Sequence, residues 1–246
     1  FGDHLAKDYG IWAVLWPCAL YLFSSGKAYQ QFKDFGPQVP DNWRYFDMGT
    51  AHHGLLTGNR AAGYGTIRNF LEYEKPLKGW YVMDESGLPL STMMAFGWNA
   101  TAWQYYRTKC DYAYELPHGM AVSDLFLLMR DCLLFEEEDR LVLFGGIPDD
   151  WFTADEGISL SGMYTWFGRC SIKYQPVDGG AILTLSGPVD PPAGFCLRFP
   201  KEIDAQAISC GKLLSRSDNG DFLIPKPVSE VQLLFAPQGA THSTIS

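Results

Sequence analysis

The feature that most constrains this chain is a change of hydrophobic period near residue 135. Before it, apolar residues recur at helical spacing, as in Trp12, Leu15, Trp16, Ala19, Leu20 and Phe23. After it, short apolar runs alternate with turn residues. Ser171-Ile172-Lys173-Tyr174 and Ala181-Ile182-Leu183-Thr184-Leu185 flank Asp178-Gly179-Gly180, a hairpin signature. A single repeating architecture does not produce both periods. The chain is therefore expected to be α+β and multidomain, with helical hairpins over residues 1–135 and an antiparallel β-sandwich over 136–246. Composition divides at the same place. Residues 1–135 hold 26 of the 37 aromatics, with 11 basic and 13 acidic residues; residues 136–246 carry 8 basic against 15 acidic.

In the first part, the spacing predicts a helix over 43–57, stopped by Gly58 in a left-handed conformation. Asn59 then caps a second helix reaching about residue 74, with Ala62, Gly63, Thr66, Ile67, Phe70 and Leu71 on its apolar face. So short a link forces an antiparallel pair. Pro117-His118-Gly119 opens a third helix whose buried stripe reads Val122, Leu125, Phe126, Met129, Cys132 and Leu133. The acidic run Glu136-Glu137-Glu138-Asp139 ends it in solvent. Further strands are expected at 141–144, 194–199, 207–210, 222–224 and 228–235.

Several function classes fall away. The formal charge of the 246-residue chain is -9 and no Lys/Arg cluster interrupts it, which argues against a nucleic-acid groove. The longest apolar run, residues 11–23, contains Pro17 and is too short to span a membrane. There is no G-x-S-x-G, Walker sequence, strand-following G-x-G-x-x-G, H-E-x-x-H or C-x-x-C, and no cofactor is implied. His52 and His53 are consecutive in a predicted helix and diverge by about 100°, so they read as packing residues and no metal is expected. The six cysteines permit three disulfides, with buried thiols the favoured alternative. Asn99-Ala100-Thr101 is a glycosylation sequon. With the missing start Met, it favours secretion.

The candidate chemistry lies in the irregular stretch from 75 to 117. Asp84 and Glu85 directly follow Trp80-Tyr81-Val82-Met83, and Trp98, Trp103, Glu115 and His118 come after them. Aromatic faces stack on the apolar faces of sugar rings, and carboxylates serve as general acid, base or nucleophile. An aromatic wall also raises a carboxyl pKa, which suits a proton donor.

The order of elements and three short stretches, Trp80-Tyr81-Val82-Met83-Asp84-Glu85, Leu116-Pro117-His118-Gly119 and Phe167-Gly168-Arg169-Cys170-Ser171-Ile172, resemble the C-terminal part of six-hairpin (α/α)6-barrel glycosidases, the α-L-rhamnosidase-like group above all. The resemblance implies a partial (α/α)6 toroid followed by the sandwich. It further implies an inverting glycoside hydrolase segment with Glu85 as general base, Asp84 as the fallback, and His118 orienting sugar or water. Trp80, Tyr81, Trp98, Trp103 and Glu115 would line the substrate site for an oligosaccharide or glycoside. The remaining barrel helices would come from the same polypeptide or a companion chain. Pro117 and Gly119 depart from the family's Asn-His-Tyr pattern, so the sugar specificity does not carry over. Two other functions fit the same stretches: a non-catalytic carbohydrate-binding or scaffold module, and a glycoside phosphorylase on the same barrel.

Overall fold

The computed structural model describes residues 45–73 and 119–236. The chain divides into two compact units, with the boundary between Leu133 and Leu134. The first contains helices α1 (Tyr45–Leu56), α2 (Arg60–Tyr73) and α3 (Gly119–Leu133). The helical hairpin expected over 43–74 is present. Gly58 takes φ +97 at its bend, and the N–H of Asn59 donates to Gly54 O at 2.8 Å, closing α1. Helix α1 packs on both α2 and α3, and α2 also meets α3. Met48, Ala51, His52, His53, Leu55 and Leu56 of α1 are all buried, so its last turns are enclosed on every side.

Helix α3 buries a different stripe from the one its apolar residues suggest. Asp124, Leu125, Leu128, Asp131 and Cys132 face inward, whereas Phe126 and Met129 are exposed. The buried positions keep helical spacing, but two of them are acidic. Asp131 is paired with Arg130 at 2.9 Å and lies 3.8 Å from His52 of α1.

The described residues of the second unit form ten strands. Strands β1 (Leu134–Glu137), β2 (Arg140–Leu143), β6 (Phe195–Leu197) and β9 (Phe222–Ile224) form one sheet in the order β1-β2-β6-β9. Strands β3 (Ile158–Thr165), β4 (Gly168–Val177), β5 (Gly180–Ser186), β7 (Ala205–Ser209), β8 (Lys212–Leu213) and β10 (Glu230–Phe235) form the other, in the order β3-β4-β5-β10-β7-β8. The expected hairpin at Asp178-Gly179 joins β4 to β5, with Tyr174 opposite Leu183.

An aromatic cluster fills the interior of this unit. Phe144, Phe152 and Tyr174 meet edge to face at centroid distances of 5.6–6.1 Å, and Phe199 continues the cluster to Phe152 and Phe222. The Tyr174 hydroxyl donates to Phe152 O at 2.9 Å, so its polar end is satisfied inside the core.

Three expectations are corrected. The described residues hold three helices against ten strands, and no helical toroid is present among them. Period identifies a helix but says nothing of whether helices close into a ring; these three pack on one another instead. The sandwich is not wholly antiparallel, because β2 and β6 pair in parallel, Val142 opposite Cys196. Parallel neighbours require a long crossover, and here the β3-β4-β5 meander of the second sheet lies between β2 and β6 in sequence. Finally, the acidic run near 136 is not a helix end. Residues 134–137 form β1, antiparallel to β2. No described helix is long and apolar enough to cross a membrane.

Candidate functional site

Glu85, Asp84, Trp80, Tyr81, Trp98, Trp103, Glu115, His118 and the sequon residue Asn99 all lie outside the described residues. The helix expected after Pro117-His118 is present and starts at Gly119. Its last turns carry the polar group of the helical unit: Asp131 accepts from Arg130 Nη1 at 2.9 Å and approaches His52 Nε2 at 3.8 Å. Burial drives the His52 pKa down to about 3, with the neighbouring His53 adding to the effect. The ring is therefore neutral near neutral pH, and its approach to Asp131 is a dipolar contact rather than an ion pair. Among the described residues, no group of three or more His, Cys, Asp or Glu side chains could hold a metal ion.

The cysteines are thiols in the described part. Cys132, Cys170 and Cys196 are buried and Cys210 is exposed, all four free. Burial pushes the Cys170 thiol up to about 11 and the Cys196 thiol up to about 12, so neither is a nucleophile near neutral pH. Cys18 and Cys110 lie outside the described residues.

The β-unit offers two surface features. The first is a hollow of about 360 Å3 where the end of β5 meets the segment before β10. Leu185, Phe195, Val189, Pro227 and Val228 supply apolar lining, and Ser186, Asp190 and Lys226 supply polar groups. Lys226 Nζ donates to Asp190. The second is the β3–β4 hairpin, where Tyr164 near the end of β3 and Trp166 in the turn stand 77% and 82% exposed. The Arg169 guanidinium covers the Tyr164 ring at 5.4 Å and donates to Gly162 O at 3.1 Å. The turn itself is fixed from within, since Glu136, a buried acid of β1, accepts the Trp166 N–H at 3.0 Å. Sequence reasoning missed Asp190 and Lys226. They are 36 positions apart, each between strands, and no motif links them.

No protein-family model matches the chain, and no curated protein or solved structure matches it.

Proposed function

We propose that this chain belongs to a carbohydrate-active hydrolase that cleaves glycosidic bonds through carboxylates, with Glu85 as general base and Asp84 as its alternate. The observation that carries the reading is the run Trp80-Tyr81-Val82-Met83-Asp84-Glu85, an acid pair that follows two aromatics after a gap of two residues, with Pro117-His118-Gly119 further along the sequence. In this reading, Trp80, Tyr81, Trp98 and Trp103 stack on the sugar, Glu115 hydrogen-bonds its hydroxyls and His118 positions sugar or water. Glu85 takes the proton from the attacking water, and a facing carboxylic acid protonates the leaving oxygen.

The test is Glu85→Gln in the full chain, assayed on aryl glycosides alongside direct binding of the same glycosides. The substitution keeps shape and hydrogen-bonding reach but removes the base. Turnover is expected to fall by about 100-fold or more while binding persists. Turnover unchanged in Glu85→Gln and also in Asp84→Asn removes both carboxylates from the mechanism. A second reading, a sugar-binding module without turnover, is favoured by the exposed Tyr164 and Trp166. It predicts binding with no hydrolysis by the unmodified chain.

A further inference from the structure

We propose that the hollow lined by Leu185, Phe195, Val189, Asp190 and Lys226 is a binding site for one neutral pyranoside ring, separate from the residues assigned to hydrolysis. The choice of a sugar over another polyol rests on the carbohydrate reading above; the site itself rests on its own geometry. Its volume of about 360 Å3 lies at the lower end of the range for ligand pockets, about 300–1,000 Å3. That space suits a single ring with its substituents.

The lining is amphipathic in the way a sugar is. Leu185 and Phe195 are buried hydrophobes that form an apolar floor for one face of the ring. The Lys226–Asp190 pair stands at the rim. Together its ammonium and carboxylate offer donors and acceptors to neighbouring hydroxyls. Lys226 is neutralised by Asp190, and residues 136–246 carry 15 acidic against 8 basic residues, so the surroundings disfavour an anion.

The hollow is preformed by backbone bonds. The Leu185 N–H donates to Ser229 O at 2.8 Å, Val189 to Gly187 O at 2.9 Å, and Asp190 to Phe167 O at 2.8 Å. Gly187 takes φ +103, and a Cβ there would stand 2.3 Å from Arg169 O, so the turn that shapes the wall requires glycine.

The experiment is amide shift mapping by two-dimensional NMR on the full chain. The probes are methyl α-L-rhamnopyranoside, methyl β-D-glucopyranoside and inorganic phosphate, each at millimolar concentration. A glycoside is expected to move the amides of 185–187, 189, 190, 226 and 228. Ser186→Trp, at an exposed position on the wall, is expected to abolish those shifts by filling the space. Lys226→Ala is expected to weaken binding about tenfold. The amide spectrum reports the folding of each variant, and Lys226→Ala supplies the decision if Ser186→Trp does not fold. The inference is overturned if neither glycoside moves these amides, if the plugged variant or Lys226→Ala binds as well as the unmodified chain, or if phosphate moves them in place of the glycosides. Hydrolysis measured on the same samples separates the two readings. Turnover without shifts at the hollow overturns the pocket alone, and shifts at the hollow without turnover overturn the hydrolase alone.

Discussion

Arg216 offers the sharpest test of how the β-unit is held together. Its guanidinium donates to three carbonyls: Gly220 O at 3.1 Å, Pro200 O at 2.8 Å and Ile203 O at 3.0 Å. It also lies 5.2 Å from the Phe222 centroid and 5.7 Å from that of Phe199. One planar cation thus fastens the loop after β6 to the turn before β9. Hydrogen bonds from a charged donor contribute about 1.5–3 kcal/mol each when removed singly, and a cation over a ring adds about 0.5–1. Arg216 is only half-buried and its bonds share one donor group, so the contributions do not add in full. We take about 3 kcal/mol for Arg216→Ala. In native-state hydrogen exchange, that is about 100-fold faster exchange for amides of β6 and β9. Arg216→Lys, which keeps the charge but loses the planar fork, is expected to fall between. Amides of α1 and α2, in the other unit, serve as the internal control. If Arg216→Ala changes exchange in β6 and β9 by less than about threefold, the three-carbonyl clamp contributes little and the reasoning is refuted.

Two further predictions concern buried titratable groups. His52 has a folded pKa of about 3 against an ordinary value near 6.5, so the unfolded chain binds the proton more tightly. Stability of the helical unit is therefore undiminished above pH 6.5 and is lost progressively as the pH falls from there toward 3. The loss is about 2 kcal/mol by pH 5. His52→Gln, which does not titrate, is expected to flatten the acid limb of the helical circular-dichroism signal, and identical limbs for the two proteins count against the assignment. Among the described thiols, iodoacetamide near pH 8 is expected to label exposed Cys210 first. Mass spectrometry showing Cys170 or Cys196 labelled as fast in the folded protein contradicts their burial.

The parts of the fold legible in the sequence were those fixed by neighbours along the chain. The Asp178-Gly179 turn announced itself because its flanking runs pair locally, and Gly58 announced the bend between α1 and α2. Strand β3 gave no such sign. Its alternation covers only Ile158-Ser159-Leu160-Ser161 before Gly162 interrupts it, and its register against β4 shifts between Leu160 and Met163. The parallel pairing of β2 with β6 depends on two strands more than fifty residues apart, which no local pattern encodes. Helix α3 was found but turned wrongly. Hydrophobicity alone favours Phe126 over Asp131 as a buried residue, yet Asp131 is the buried one, paired with Arg130 and lying near His52 of another helix. The hollow was invisible for the same reason: it is made where Asp190 and Lys226 meet, and neither residue is unusual alone.

The arginines of the β-unit are held by acceptors of its own backbone and side chains. Arg140 donates to Ala193 O, Arg169 to Gly162 O, Arg198 to Glu137 at 3.2 Å, and Arg216 to its three carbonyls. Glu137 is itself held by this arrangement: burial raises its carboxyl pKa and the Arg198 charge opposes the rise. Drawing any of these guanidiniums toward phosphate would leave behind an unpaired carboxylate or carbonyl. The cost falls on the fold rather than on the ligand. Among the described residues of the β-unit, these four arginines are therefore structural groups, each engaged by the fold itself.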